Sequence, residues 1–178
     1  IDGSFNTTKR MPDFNLRASI KNFRPHDLNI SDKYENADLS LNLNADFTGR
    51  SVDDMNGSIM IDSLVLNAPD GQGYTLDSLQ ITAGVVDDKK ELRINSPFMK
   101  ALIRGEYSYA TIPASIIKTI HRYLPSLVPM DKKYAKRTNN NFMFDVKVAD
   151  TELFRKLFYI PIDMKMQSTL HGYFNDRE

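Results

Sequence analysis

Residues 38–47 read Asp-Leu-Ser-Leu-Asn-Leu-Asn-Ala-Asp-Phe, an unbroken alternation of apolar and polar side chains. Leu39, Leu41, Leu43, Ala45 and Phe47 fall on one side, and Ser40, Asn42, Asn44 and Asp46 on the other. Successive side chains of a strand leave opposite faces, so this stretch predicts one long strand with an apolar face and a hydrated face. The same alternation returns at Phe14-Leu16-Ala18-Ile20, Met99-Ala101-Ile103, Phe142-Phe144-Val146-Val148 and Ile162-Met164-Met166. The residues alone leave two readings of these faces open. They either close over a filled core or line a groove that holds something else.

On the C-terminal side of this strand, Gly49 and Ser51-Val52-Asp53-Asp54 predict a turn, and Gly57 opens the next strand. Ile59 and Ile61 alternate there, but Leu64 and Leu66 sit in the opposite phase, which one extra residue near Asp62-Ser63 would produce as a β-bulge. Pro69-Asp70-Gly71-Gln72-Gly73 is a turn signal before a strand over Thr75–Ala83. Asp87-Asp88-Lys89-Lys90 reads as a hairpin tip leading into Leu92-Arg93-Ile94, and a further strand covers Met99–Tyr109. The period then changes. Ile116, Ile117, Ile120, Leu124 and Leu127 recur at helical spacing, predicting an amphipathic helix over 112–128. A strand over 142–148 follows, then a short helix over 150–158 capped by Asp150 or Thr151, and a last strand over Ile162–Phe174. Leu28–Ile30 is a short apolar piece. Glycine stands beside an aromatic at three strand ends, in Phe47-Thr48-Gly49, Gly105-Glu106-Tyr107 and Gly172-Tyr173-Phe174, a faint internal echo.

At 178 residues the chain is most economically one β-dominated domain, 1–178. Lys+Arg and Asp+Glu are both 23, so no net charge attracts nucleic acid or an anionic membrane. The basic run Lys132-Lys133-Tyr134-Ala135-Lys136-Arg137 reads as a solvated loop. With no cysteine, disulfide scaffolds and thiolate metal sites are excluded. No apolar run reaches the roughly 20 residues that span a bilayer. The chain begins at Ile1 and stops at Asp176-Arg177-Glu178, which reads as an internal piece of a longer protein.

Catalytic and metal signatures are missing. His26, His121 and His171 show no ligand spacing, so no metal site is expected. Asp53-Asp54 and Asp87-Asp88 are adjacent pairs in polar turns, where aspartate accepts backbone N–H bonds; they do not converge on a cleft as an acid and base would. No G-x-S-x-G, G-x-G-x-x-G or P-loop motif occurs. Nucleic-acid binding calls for aromatics interleaved with Lys and Arg on a sheet face, and the aromatics lie largely on the apolar faces, which argues against it. The sequence therefore predicts no enzyme, no catalytic residue and no cofactor. What remains is the apolar face itself and a stock of eight methionines, flexible side chains suited to irregular cores and to variable apolar partners.

One ordered series of segments carries a resemblance. It comprises Asp46-Phe47-Thr48-Gly49, Asp53-Asp54-Met55-Asn56-Gly57-Ser58-Ile59-Met60-Ile61-Asp62, Tyr74-Thr75-Leu76-Asp77-Ser78-Leu79 and Leu92-Arg93-Ile94-Asn95-Ser96. Ala101-Leu102-Ile103-Arg104-Gly105-Glu106-Tyr107, Pro113-Ala114-Ser115 and Tyr123-Leu124-Pro125-Ser126-Leu127 complete it. The series resembles the translocation and assembly module family (TamB, AsmA-like) in its Bacteroides-type versions, from about Phe14 to Phe174. The resemblance implies a long antiparallel or mixed sheet curled into a taco or half-pipe with an apolar interior. It implies a periplasmic section of an inner-membrane-anchored parent that conducts phospholipid between inner and outer membranes. The alternative it implies is an interaction module that assists outer-membrane protein assembly or secretion by strand addition, with an outer-membrane barrel protein as partner. Groove lining would fall to Leu39, Leu41, Leu43, Phe47, Met99, Ile103, Phe142, Phe144, Val146, Ile162, Met164 and Met166, in contact with phospholipid or other acyl chains. The two helices are a departure from a plain half-pipe, and raise the expectation that they cap the groove.

Overall fold

The long alternation at 38–47 becomes the strand Asp38–Thr48, paired on both sides in a single sheet. The structure is a computed structural model describing residues 1–6, 11–24, 26, 38–67, 71, 73–123, 126, 138–149 and 167–176. Nine strands form the sheet: β1 (Asp2–Asn6), β2 (Asp13–Phe23), β3 (Asp38–Thr48), β4 (Asn56–Asn67), β5 (Gly73–Val86), β6 (Lys89–Asn95), β7 (Met99–Glu106), β8 (Asn141–Val148) and β9 (Ser168–Asn175). Their order in the sheet is their order in the chain, and every pair is antiparallel. The "mixed" part of the expectation is thus corrected: the register of every neighbouring pair is antiparallel, and the connections β1–β2, β3–β4, β4–β5, β5–β6 and β6–β7 are too short for a parallel crossover. Among the described residues, β1 and β9 are the outermost strands of the sheet.

The bulge foreseen near Asp62-Ser63 is present. Ser40 pairs with Val65 and Asn42 with Asp62, so β4 carries one more residue than β3 there, and Ser63 takes φ 56°. β5 changes phase at the same level, between Leu76 and Leu79, and keeps in step with β4. A second bulge lies in β2, where Ile20 faces Leu41 but Phe23 faces Leu39. Asn22 absorbs it at φ 49° and donates its N–H to Ser40 Oγ at 2.9 Å. Asp87 and Asp88, both left-handed, make the two-residue β5–β6 turn, and Arg104 Nη2 donates to Asp87 Oδ2 at 2.6 Å.

One helix is described, α1 (Ile112–Tyr123), within the expected 112–128, of which residues 124, 125, 127 and 128 lie outside the described residues. The short helix expected over 150–158, the apolar piece 28–30, the basic run 132–137 and positions 162–166 lie outside the described residues. β1 adds a strand that alternation does not reveal.

Burial concentrates where β3, β4 and β5 meet. Leu64, Leu66 and Leu76 are buried and are packed by Leu39, Leu41, Ile61, Tyr74, Leu79 and Phe98.

Candidate functional site

Directly opposed residues of an antiparallel pair share a face, so the registers decide which side chains stand together. One row across the sheet runs Phe5, Phe14, Phe47, Gly57, Ala83, Leu92, Ile103, Phe144, Gly172. The next runs Gly3, Leu16, Ala45, Ile59, Ile81, Ile94, Ala101, Val146, Leu170. Between them these rows cross all nine strands without a charged residue. The neighbouring row on the other face reads Ser4, Asn15, Asp46, Ser58, Thr82, Arg93, Leu102, Asp145, His171. One face is apolar from edge to edge, and the other is largely polar.

The expected lining residues fall on the apolar face wherever they are described. Leu39, Leu41, Leu43 and Phe47 stand on β3, Met99 and Ile103 on β7, and Phe142, Phe144 and Val146 on β8. Phe47 and Phe142 are buried; the other seven are half-buried. Ile162, Met164 and Met166 lie outside the described residues. Phe5, Ile59, Ile81 and Leu92 stand in the same rows although the expected lining leaves them out, and the register joins them to it.

Aromatics thicken the face at its β7–β9 end. Phe142 stacks on Phe174 at 5.0 Å between ring centres and meets Tyr107 edge-on at 5.7 Å. Two glycines make room beneath aromatics across the strand gap. A Cβ on Gly57 would stand 2.8 Å from Phe47 Cα, and one on Gly105 would stand 2.6 Å from Phe142 Cα. At the β1–β4 end the face opens into a cavity of about 510 Å³. Its floor is Phe14, Leu16, Leu43, Ala45, Phe47 and Ile59, with Phe5 on the edge strand and Gly49, Arg50, Ser51 and Met55 from the β3–β4 turn. That size suits a small apolar ligand.

Polar groups gather where the apolar face meets the start of α1. Asn140 and Ser115 are fully buried. Asn140 Nδ2 donates to Ser115 Oγ at 2.6 Å and to Thr111 Oγ1 at 3.1 Å, while its Oδ1 accepts from the Ser108 N–H at 2.9 Å. Asp176 accepts from the Asn140 N–H at 2.5 Å. A polar atom so buried costs stability when it lacks such a partner. Nearby, Asp53 Oδ2 accepts from Ser108 Oγ at 2.7 Å and Oδ1 from the Tyr109 N–H at 2.6 Å, with Lys90 Nζ 3.7 Å away. Lys90 Nζ lies over the rings of Tyr107 and Tyr109, at 5.9 and 5.6 Å.

These contacts shift acidity. Burial pushes the Asp53 carboxyl up, but the Ser108 hydroxyl, the Tyr109 N–H and Lys90 together hold it below the usual carboxylate range. Burial likewise opposes the hydroxyls of Ser115 and Thr138 and the Asn140 N–H at Asp176, which also ends low. Burial drives the Tyr107 hydroxyl far above its ordinary range, and it stays protonated. A carboxylate with a lowered folded pKa adds stability above its unfolded value of about 3.9, and that stability is lost as pH falls through the folded value. The tyrosine near-ultraviolet signal of Tyr107 and Tyr109 should therefore hold from about pH 7 to about pH 5 and decay only below about pH 4, ahead of the far-ultraviolet β signal. Loss of both signals together would contradict local anchoring by Asp53 and Asp176.

Among the described residues no group of three His, Cys, Asp or Glu side chains is placed to hold a metal ion. No described helix is long and apolar enough to cross a membrane. No family model, curated protein or solved structure matches the chain.

Proposed function

We propose that the chain is one section of an apolar-lined β conduit that carries phospholipid acyl chains between inner and outer membranes. In this reading it lies in the periplasm, within a parent of the translocation and assembly module kind anchored in the inner membrane. It is not an enzyme; the work is done by a continuous lining, with no reacting group. The observation that carries the reading is the apolar face unbroken over nine strands, with most of its side chains only half-buried. Contiguous exposed apolar surface on this scale marks a binding surface in soluble proteins.

Curling of the sheet into a half-pipe is part of this proposal. Asp53, in the turn between β3 and β4, bonds Ser108 and Tyr109 beyond β7 and lies 3.7 Å from Lys90 of β6. Lys90 pairs with Gly105 and so projects from the apolar side, the side around which the sheet would curl.

Mass spectrometry of organic extracts from the purified chain tests the proposal. Acyl lipid recovered in amounts comparable to protein is the expected result, and lipid-free protein after purification from membrane-rich cells counts against it.

A second reading, assistance to outer-membrane protein assembly by strand addition, is favoured by the composition of β9, the last strand of the sheet among the described residues. β9 contains no Asp, Glu, Lys, Arg or Pro, the residues that ordinarily protect an edge.

A further inference from the structure

Asp53 and Asp54 are neighbours in one turn, yet they spend their oxygens differently. Asp54 does what a turn aspartate does. It accepts from the Ser51 N–H at 2.7 Å, from the Arg50 N–H at 3.3 Å and from the Ser51 hydroxyl, closing a local capping box around the 3-10 turn Val52–Asp54. Asp53 makes none of these bonds. Both of its oxygens bond residues 55 and 56 positions away, on the connection that leads into α1. Forming the turn does not require this, so the remote bonds need another explanation.

The same turn is fastened on its other side. The Gly49 N–H donates to the Pro12 carbonyl at 3.1 Å, just before β2. Between these two ties lie Arg50, Ser51 and Met55, which form a wall of the 510 Å³ apolar cavity whose floor is Leu43, Ala45, Phe47 and Ile59. The segment is stiffened inside by Asp54, tied to β2 at one end and tied beyond β7 at the other. It thus bridges the ends of the intervening strands on the side where Lys90 and Tyr107 stand.

We propose that residues 49–55 are a strap closing this end of the apolar face, and that Asp53 is the latch that holds it shut on Ser108 and Tyr109. The role of the strap as a gate for acyl chains rests on the conduit reading above; the latch itself does not. With the latch formed, the strap walls off one end of the open cavity, where the tail of an acyl chain would stop. With the latch released, the cavity opens past the strand ends, and a chain can pass toward whatever lies beyond. Asp53 acts by positioning the strap and touches no lipid.

Because the chain has no cysteine, one introduced thiol reports access to the cavity. Ile59→Cys places it on the cavity floor, and Leu66→Cys places a control in the buried cluster with Leu64 and Leu76. The measurement is the rate of labelling by a small maleimide, with Asp53 intact and with Asp53→Ala. Charge-assisted hydrogen bonds of this kind support an acceleration of about tenfold for the cavity-floor thiol, with little change for the control thiol. Ser108→Ala, which removes one bond and keeps the carboxylate, should accelerate the cavity-floor thiol less, and it serves if Asp53→Ala does not fold. Equal rates with and without Asp53 would overturn the latch. Equal acceleration of both thiols would also overturn it, since that is general destabilisation. A fluorescent polyene fatty acid supplies the separate check on the conduit. If it binds neither the latched nor the unlatched chain while labelling of the cavity floor still accelerates, the conduit reading fails and the latch stands.

Discussion

Gly105→Val is expected to abolish stable folding. A Cβ at this position would stand 2.3 Å from the Asn141 carbonyl oxygen and 2.6 Å from Phe142 Cα, both on the backbone of the paired strand. Backbone in a ladder cannot step aside as a side-chain tip can. The conflict is relieved only by parting β7 from β8, whose contact also holds Phe142 against Tyr107. Gly105 also sits at φ 156°, a backbone conformation that residues with side chains rarely adopt. Steric conflict with strand backbone of this severity costs at least about 3 kcal/mol, a large share of the stability of an ordinary domain. Gly73→Val is the control, since a Cβ there meets only the Asn67 side chain at 3.5 Å. Urea unfolding monitored by circular dichroism should show a collapse of the midpoint for Gly105→Val and a shift of less than about 1 kcal/mol for Gly73→Val. Similar midpoints for the two would mean that the β7–β8 register is wrong.

The second large effect separates covered from open parts of the apolar face. Leu66 is 4% exposed and sits with Leu64 and Leu76 in the buried cluster. Leu66→Lys forces an ammonium into apolar surroundings with no partner, a penalty of several kcal/mol, and the chain should unfold. Ile103 lies on the same face but is only half-buried. A lysine there can lay its stem along Leu92 and Phe144, its cross-strand neighbours, and carry its charge to water. Ile103→Lys should cost no more than about 2 kcal/mol and keep its β signal. If both variants unfold alike, the face at Ile103 is closed core and cannot line a groove.

Much of this architecture is readable from alternation, because a strand with one apolar face writes its period of two directly into the residues. The bulge at Ser63 is readable for the same reason, since Ile61 and Leu64 break that period. Other features depend on partners distant in sequence. β1 offers only Phe5 as a large apolar residue, and its place emerges from pairing with Phe14. The glycine–aromatic echo is visible in neighbours such as Phe47 and Gly49, but the pairing that matters is Phe47 with Gly57 across the strand gap. The reading of Asp53-Asp54 as two turn aspartates holds for Asp54 alone. No local pattern reveals that Asp53 reaches Ser108 and Tyr109, because the contact is made by the fold and not by spacing. The extent of the apolar face is hidden similarly. Each strand declares a greasy side, and only the register proves that the nine sides coincide.

Whether this shared face holds acyl chains is decided by the quantity of acyl lipid bound per folded chain. Lipid extracted from the purified chain and from folded Ile103→Lys protein would be compared by mass spectrometry. A lysine charge facing an acyl chain costs several kcal/mol where it cannot reach water, so the variant should retain at least about tenfold less lipid at unchanged circular dichroism. Equal lipid in both proteins, or none in the unsubstituted chain, would refute a lipid-holding face.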